Sequence, residues 1–252
     1  MNINLNHYDS IESTNTEALK QARLGANEGL CIVASEQTAG RGRHGRAWIS
    51  PPDAGLYFSI VLRPKIATKF LSLITLMTGV AVHDTLVEVG IKPDIKWVND
   101  ILVNEKKISG ILAETAETSK GLAVVVGVGI NIRSSNFPVE IASLATSIEA
   151  ETNTLVSRDE LAERLTKYLS YFYDVLNGGE GPKQIVEEWK RRSSYFSGKH
   201  VRVSTDNETI TGVTDGLESN GALRVIGSDG RISIIQAGDV EKLRTEPARS
   251  RS

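Results

Sequence analysis

Residues 35–48 read Ser-Glu-Gln-Thr-Ala-Gly-Arg-Gly-Arg-His-Gly-Arg-Ala-Trp, and this stretch decides between the folds open to the chain. Its glycines let the backbone lie close to a ligand. Its arginines supply permanent cations whose planar groups match carboxylate and phosphate oxygens. Because the formal net charge of the whole chain is -2, this positive charge is local. The stretch is typical of a loop that wraps a small anion, and a solvated basic turn is the plainer alternative.

The spacing Gly40-x-Gly42-x-x-Gly45 matches the dinucleotide-binding fingerprint, but that fingerprint must open a helix. Here the chain runs on into Pro51 and Pro52, which a helix interior does not tolerate. A P-loop would end in Gly-Lys-Ser/Thr, which the stretch lacks. A basic RNA-binding loop stays open locally, although a pI near 6.1 gives it no support elsewhere.

The composition is that of an ordinary soluble globular protein, with 252 residues of which 40% are hydrophobic and 24% charged. The single cysteine, Cys31, lies in an apolar run, which predicts a buried thiol rather than a disulfide or a metal cluster. We see no apolar run of membrane length and no signal peptide. We therefore expect a cytoplasmic protein without a membrane partner.

Hydrophobic periodicity predicts strands and helices through most of the chain, followed by a change of character near residue 195. Beyond that point, short strands joined by Asn220-Gly221 and Asp229-Gly230 turns predict a small β-barrel over 196–245, with a disordered tail over 246–252. Residues 1–195 then form the main domain. Within it, strands are predicted at 3–9, 29–35, 55–63, 95–103, 108–114 and 122–132, and helices from 14, at 69–89, at 157–178 and from 182.

Several polar residues fall where structure alone does not require them. Ser13-Thr14-Asn15 begins a predicted helix, where one side chain suffices as a cap and the others are free to face a ligand. Lys96 and Asp100 share one face of the predicted strand 95–103, which is costly unless they form an ion pair or bind something. Two glycines inside the strand 122–132 suggest a ligand, a neighbouring backbone or a bulge.

The chain shows no Ser-His-Asp set, no plausible catalytic cysteine and no metal-ligand spacing. The chemistry open to its candidate residues is the neutralisation of a phosphoryl group by Arg and Lys.

Five motifs together resemble those of the biotin protein ligases, over nearly the whole chain. The resemblance implies an α+β fold with a mixed central sheet flanked by helices, as in the class II synthetase-like catalytic domain of biotin and lipoate ligases, and a C-terminal SH3-like barrel. Each motif is weak alone, but five in this order and spacing are specific. They are Ser13-Thr14-Asn15, Gln37-Thr-Ala-Gly-Arg-Gly-Arg-His-Gly-Arg-Ala-Trp48, Lys96-Trp-Val-Asn-Asp100, Lys107-Ile-Ser-Gly-Ile-Leu112 and Gly127-Val-Gly-Ile-Asn131.

The resemblance implies a two-step ligation. Biotin and ATP form biotinyl-5′-AMP with the help of Mg²⁺, and the biotinyl group then passes to one lysine of a biotin carboxyl carrier protein. A homodimer is possible. The winged helix-turn-helix of some relatives does not precede the catalytic motifs here, so we expect no nucleic-acid partner.

The resemblance also assigns roles to residues. The catalytic residues are expected to be Lys107, Arg43 and Arg41, with Lys107 as the main electrostatic catalyst. The biotin-binding residues are expected to be Ser13, Thr14, Asn15, Gln37, Gly40, Arg41, Gly42, Arg43, Lys107 and Gly110. The ATP-binding residues are expected to be Arg43, Arg46, Trp48, Asn99, Asp100, Lys107 and Asn131, with Asp100 also holding Mg²⁺.

The chain departs from the family's motifs at a second point, and two other functions remain as alternatives to a biotin ligase. Val98 stands where the family commonly has proline, a change that removes no functional group. A lipoate-type ligase would need a long apolar slot, whereas the Ser-Thr-Asn triplet and Gln37 suit a ureido ring better. A non-catalytic biotin sensor would have no need of Lys107 together with the full arginine loop.

Overall fold

The structure is a computed structural model that describes residues 1–134, 137, 139–205 and 208–242. The predicted tail over 246–252 and the last residues of the predicted barrel lie outside the described residues. In chain order, the strands and α-helices are β1 (Asn4–Ile11), α1 (Thr14–Arg23), β2 (Leu30–Gln37), β3 (Gly55–Leu62), α2 (Leu73–Glu88), β4 (Asp94–Lys96), β5 (Asp100–Val103), β6 (Lys106–Thr118), β7 (Gly121–Asn131), α3 (Val139–Ala142), α4 (Ile148–Thr152), α5 (Arg158–Leu176), α6 (Gly181–Arg192), β8 (Ser197–Ser204), β9 (Thr209–Leu217), β10 (Leu223–Gly227), β11 (Ile232–Ile235) and β12 (Asp239–Lys242).

A seven-stranded mixed sheet forms the centre of the fold, in the order β1-β2-β3-β7-β6-β5-β4. Only β1 and β2 pair in parallel, and the remaining neighbours are antiparallel. Parallel neighbours need a crossover connection, which α1 supplies. The predicted α+β fold with a mixed central sheet is confirmed.

Helices cover both faces of this sheet. On one face, α1 packs its small apolar residues, among them Ala18 and Ala22, against β2, β3 and β7. On the other face, α2 packs against α5 and α6 over the main core. Strand β3 is buried along its whole length, which explains its continuous apolar run.

The sequence prediction that the chain has no apolar run of membrane length is wrong for the segment that contains α2. By length and composition alone, the segment Thr68–Glu88 could cross a membrane. In the structure, 61% of the most apolar 18 residues of this segment are buried inside the protein. The segment is therefore accounted for as the central helix of a packed core.

The predicted strand over 95–103 is wrong, because the chain reverses at residues 97–99. Strands β4 and β5 pair with each other, and Lys96 lies opposite Asp100 in the register. The peptide bond between Trp97 and Val98 is cis. The Trp97 side chain is 1% exposed and donates from Nε1 to the Gly221 carbonyl at 3.0 Å. Burying this large ring against the C-terminal domain outweighs the strand preference of the segment.

The C-terminal strands form a five-stranded antiparallel sheet in the order β11-β10-β9-β8-β12. Gly221 (φ +85°) and Gly230 (φ +78°) occupy its two predicted hairpin turns in the left-handed region that favours glycine. The small C-terminal β domain is confirmed, and closure into a barrel stays a prediction. Buried residues of this sheet, such as Val201 and Val225, belong to the same core as the main sheet.

Candidate active site

The arginine loop between β2 and β3 folds back on itself. The Gly42 N–H donates to the Arg46 carbonyl at 2.7 Å, and the Trp48 N–H donates to the Gly40 carbonyl at 2.9 Å. A Cβ on Gly40 would lie 2.3 Å from the Trp48 carbonyl oxygen, so only glycine fits there. The backbone is thus packed tightly within the loop, and the arginine side chains point outward to other elements.

This loop, the start of α1 and strands β5, β6 and β7 surround a cavity of about 140 Å³. A larger cavity of about 1020 Å³ adjoins it, shares Arg46, Trp48, Asn99, Asp100 and Lys107 with it, and adds Asn131. Gly40 lines neither of these two cavities. The predicted site residues that line the smaller cavity are Ser13, Thr14, Asn15, Gln37, Arg41, Gly42, Arg43, Arg46, Trp48, Asn99, Asp100, Lys107 and Gly110.

The helix start forms one end of the smaller cavity. Ser13 is the N-cap of α1 and accepts a hydrogen bond from the Thr16 N–H. Ser13 is therefore the one residue of the Ser13-Thr14-Asn15 triplet that serves as the cap. Thr14 and Asn15 are left for other contacts, although they are only 4% and 3% exposed.

Those contacts form a polar network under the cavity. The Thr14 N–H and hydroxyl both donate to Gln37 Oε1, at 2.9 and 3.1 Å. Gln37 Nε2 donates to Ser50 Oγ at 2.8 Å. The buried Ser59 hydroxyl donates to Asn15 Oδ1 at 2.6 Å and lies 2.8 Å from the Thr14 hydroxyl. Because each member is held by the next, the network presents fixed donors and acceptors to a ligand.

Three glycines in β6 and β7 make room for the side chains of this site. A Cβ on Gly127 would lie 2.3 Å from Asn15 Oδ1, and one on Gly129 would lie 2.3 Å from the Trp48 ring. A Cβ on Gly110 would come within 3.0 Å of both Trp48 and Lys107. The sequence suggested a ligand or a backbone beside the glycines of β7, and the structure places side chains of the site there instead.

Lys107 stands where the two cavities meet. Its Nζ lies 2.6 Å from Asp100 Oδ1 and 5.6 Å from the centre of the Trp48 ring. Its N–H donates to the Leu144 carbonyl at 2.8 Å, and its carbonyl accepts from the Thr146 N–H at 2.9 Å. The backbone is therefore fixed on both sides, and the ammonium group is held in place by a carboxylate.

Each of the three arginines of the loop has a different main partner. Arg41 Nη2 donates to Glu114 Oε2 on β6 at 2.8 Å. Arg43 Nη1 donates to Asn99 Oδ1 at 3.0 Å. Arg46 forms an ion pair with Asp239 of β12 in the C-terminal sheet.

The C-terminal domain thereby contributes to the wall of the site. Arg43 Nη1 also donates to the Gly238 carbonyl at 3.3 Å and lies 3.9 Å from Asp239 Oδ1. Across the larger cavity, Lys242 Nζ lies 2.8 Å from Glu105 Oε1. These contacts fix β12 beside the cavities at both of its ends, Asp239 and Lys242.

Electrostatics favours an anionic ligand. Four cationic side chains line the smaller cavity, against the two carboxylates of Asp100 and Asp239. In the larger cavity, burial and the carboxylates of Glu105 and Asp94 raise the pKa of Tyr195, so its phenol stays protonated and able to donate. An anion entering here exchanges water for fixed cations and donors.

The structure places Asn131 differently from the other predicted residues. Its Nδ2 donates to the Thr146 carbonyl at 3.0 Å and reaches the Lys107 carbonyl at 3.4 Å. It lines the larger cavity only. In the described structure it ties the end of β7 to the segment before α4.

The sequence reading missed four residues of this site, namely Ser50, Ser59, Glu114 and Asp239. The sequence does carry a signal for Ser59, because it is the one serine or threonine within the apolar run of β3. The sequence predicts Glu114 only as the last residue of the strand 108–114. Nothing local in the sequence connects Asp239 with the arginine loop.

Two protein families match this chain. Residues 8–131 match the biotin/lipoate A/B protein ligase family, and residues 196–243 match the biotin protein ligase C-terminal domain. The chain belongs to the biotin protein ligase family.

Individual relatives support that membership along nearly the whole chain. The bifunctional ligase/repressor BirA of Bacillus subtilis is 35% identical over 96% of this chain and 74% of its own length. The biotin--[acetyl-CoA-carboxylase] ligase of Paracoccus denitrificans is 32% identical over 91% of this chain and 96% of its own. The structure of the biotin protein ligase of Aquifex aeolicus in complex with biotin and ATP superposes with a TM-score of 0.84, at 30% identity over 96% of this chain and 99% of that one.

Proposed function

We propose that this chain is an ATP-dependent ligase that joins biotin to a lysine of a carrier protein in two steps. In the first, a carboxylate oxygen of biotin attacks the α-phosphorus of ATP, and pyrophosphate leaves. In the second, the lysine amine attacks the acyl carbon of biotinyl-5′-AMP, and AMP leaves. The observation that carries the proposal is the convergence of four cations on a cavity whose far end is a buried polar network.

The polar network receives the ureido ring. A ureido group has one carbonyl acceptor and two N–H donors, so it needs fixed partners of both kinds. Thr14, Asn15 and the half-buried Gln37 line this end of the cavity and supply such partners. Their hydrogen bonds to each other and to the buried Ser59 keep the reorganisation cost low. This end of the cavity suits biotin better than the plain acyl chain of a lipoate-type substrate.

Lys107, Arg41 and Arg43 stabilise the first step. Attack at the α-phosphate brings a carboxylate against a phosphate, and the developing negative charge needs cations already in position. The ion pair with Asp100 holds the Lys107 ammonium group at the junction of the two cavities. Arg46, Trp48, Asn99 and Asn131 border the larger cavity, which receives the nucleotide.

Asp100 offers a single carboxylate to one Mg²⁺ ion, beside the ammonium groups of Lys107 and Lys96 at 2.6 and 3.5 Å. Mg²⁺ is commonly held by one or two carboxylates together with substrate phosphates and waters. Asp100 provides one carboxylate on the wall that both cavities share. Within the described residues there is no group of three or more His, Cys, Asp and Glu side chains, so an all-protein cage is not formed there. Asp100 would hold the ion, and the ion would supply further positive charge for the triphosphate.

The remaining features of the proposal concern the whole protein. The acceptor is a biotin carboxyl carrier protein, a partner supported by the relatives named as ligases of acetyl-CoA carboxylase. The chain acts in the cytoplasm as a homodimer, and the boundary between its catalytic and C-terminal domains lies between residues 195 and 196. Reaction with a purified carrier domain and size-exclusion chromatography would test the partner and the oligomeric state.

The first experiment uses the purified protein with biotin, Mg²⁺ and radiolabelled ATP, without a carrier. We expect biotinyl-AMP to form, and we expect no adenylate when lipoate replaces biotin. Formation of an adenylate with lipoate would show that the substrate is not restricted to biotin and would contradict the proposed specificity. If the protein binds biotin but forms no adenylate, the ligase hypothesis is wrong and the biotin-sensor hypothesis takes its place.

A further inference from the structure

Glu114 on β6 joins two parts of the site through a single oxygen atom. Its Oε2 accepts from Asn15 Nδ2 at 2.8 Å and from Arg41 Nη2 at 2.8 Å. The Glu114 side chain is 26% exposed, so both bonds are partly screened from water. Hydrogen bonds to an ionised carboxylate are shorter and stronger than neutral ones.

The first consequence concerns the orientation of the Asn15 amide. Its nitrogen faces two groups that can only accept, the Leu112 carbonyl at 3.2 Å and the Glu114 carboxylate at 2.8 Å. A flipped amide would place its oxygen against both of them. Glu114 therefore fixes which face of Asn15 is the donor and which is the acceptor.

The acceptor face is turned to the cavity side of β7. Asn15 Oδ1 lies over Gly127, where a Cβ would come within 2.3 Å, and it accepts from Ser59 at 2.6 Å. A carbonyl oxygen has two lone pairs, so one remains for a ligand N–H. A ring N–H of a ureido group is a donor of the required kind.

The second consequence concerns the arginine loop. Arg41 belongs to the segment that borders the cavity, and its side chain is 42% exposed. Its bond to Glu114 anchors the loop to the same sheet position that orients Asn15. The ring end and the carboxylate end of the cavity are thus tied to one side chain.

We propose that Glu114 is a positioning residue that presents Asn15 as an acceptor to a ring N–H of the ligand and anchors the loop through Arg41. This inference rests on the proposed function, since biotin is the ligand whose ureido N–H it would serve. Glu114 itself does not line the smaller cavity.

The test compares Glu114→Gln with Glu117→Gln, a matched change at an exposed position three residues further along β6. Calorimetry with biotin alone, without ATP, gives the dissociation constant. We expect Glu114→Gln to raise it about tenfold, because hydrogen bonds to an ionised carboxylate are stronger than those to a neutral amide oxygen. The KM for biotin rises with it, while the KM for ATP stays within about twofold.

A double-mutant cycle separates this role from a general loss of structure. If Glu114 acts through Asn15 and Arg41, then Glu114→Gln loses much of its effect on biotin binding in an Asn15→Ala protein, and all of it once Arg41→Ala is added. An equal loss in both backgrounds would overturn the proposed route, as would a Glu114→Gln protein that binds biotin like Glu117→Gln. If Glu114→Gln does not fold, as judged by its thermal melt, Glu114→Asp takes its place in the cycle.

The outcome is distinguishable from a failure of the proposed function. A wild-type protein that neither binds biotin nor forms an adenylate would refute the ligase itself. A wild-type protein that does both, with an unaltered Glu114→Gln variant, would refute only the role of Glu114.

Discussion

The ammonium group of Lys107 and the carboxylate of Asp100 lie 2.6 Å apart, on the neighbouring strands β6 and β5. Their side chains are 35% and 18% exposed, so the pair is partly shielded from solvent. Asp100 therefore keeps a cation in one place before any substrate arrives. A preorganised charge of this kind needs no rearrangement at the moment of reaction.

Removing that cation should slow activation strongly. For Lys107→Ala we expect biotinyl-AMP formation to fall about a hundredfold, because one preorganised donor contributes about 3 kcal/mol to the transition state. Single-turnover formation of the adenylate measures the effect. Lys92→Ala, at an exposed position before β4, is the control and should leave the rate unchanged. Equal rates for the two variants would remove Lys107 from its proposed role.

The glycine under Trp48 offers a second test. In Gly129→Ala the new Cβ would lie 2.3 Å from the indole ring, so the ring must move. Such overpacking costs about 1–3 kcal/mol, and we expect the KM for ATP to rise about tenfold. Gly179→Ala is the matched control, since a Cβ there would meet nothing within 4 Å. Steady-state kinetics at saturating biotin gives the KM for ATP. An unchanged KM in Gly129→Ala would show that Trp48 does not border the nucleotide site.

The ion pair between Arg46 and Asp239 leads to a prediction for the ligand-free loop. Asp239→Asn weakens the anchor of the arginine loop on the C-terminal sheet, so trypsin should cleave after Arg41, Arg43 or Arg46 faster than in the wild type. Biotin with ATP should slow that cleavage. Asp215→Asn breaks another ion pair of the same sheet, with Arg224 at 3.0 Å, and should not change cleavage of the loop. Identical digestion patterns for the two variants would mean that Asp239 does not restrain the loop.

Trp97 should matter for stability more than for chemistry. Trp97→Phe keeps a buried ring but removes the donor that satisfies the Gly221 carbonyl at 3.0 Å. We expect the free energy of unfolding to fall by about 1–3 kcal/mol, the cost of leaving a buried acceptor without its partner. Tyr171→Phe removes a polar group from a ring that is 61% exposed and serves as the control. Denaturant titration of both variants gives the difference.

Asp84 on α2 predicts a pH dependence of stability. Burial alone would raise the pKa of Asp84, but hydrogen bonds from His83 and Arg192 outweigh it and hold that pKa below its ordinary value. Arg192 binds both carboxylate oxygens, at 2.7 and 2.8 Å. A carboxyl with a lowered folded-state pKa adds stability above its unfolded pKa of about 3.9, and this is lost as the pH falls through the folded value.

We therefore expect Asp84→Asn to lower the free energy of unfolding by about 1–3 kcal/mol at pH 7. The difference from the wild type should shrink as the pH is lowered below about 4, where the wild-type carboxyl also becomes protonated. Asp9→Asn, on an exposed position of β1, should show neither effect. A destabilisation by Asp84→Asn that stays constant from pH 7 to acid would contradict the ion pair as its cause.

Local signals carried most of the prediction from sequence. The continuous apolar run of β3 and the polar start of α1 each identify themselves within a few residues, and the structure has both. The reversal at 97–99 could not be read in this way, because it depends on Trp97 finding a place against Gly221 in another domain. A period of two assumes an extended chain, and here the chain was not extended.

The same limit applies to the site. Residues of one motif, such as those of the arginine loop, were found together because they are adjacent in sequence. Glu114 and Asp239 were missed because their role lies in contacts with Asn15 and Arg46, which are far away along the chain. No spacing rule connects such positions, and only the packing of α1 and the arginine loop against the sheets brings them together.

The bond from Arg43 to the Gly238 carbonyl spans 195 positions of the chain. During synthesis the arginine loop therefore emerges well before β12, and domains fold as their residues appear. A nascent chain that has completed the main sheet still lacks the strand that borders the two cavities. The ribosome must therefore extend the chain through β12 before a reactive acyl-adenylate can be enclosed by it.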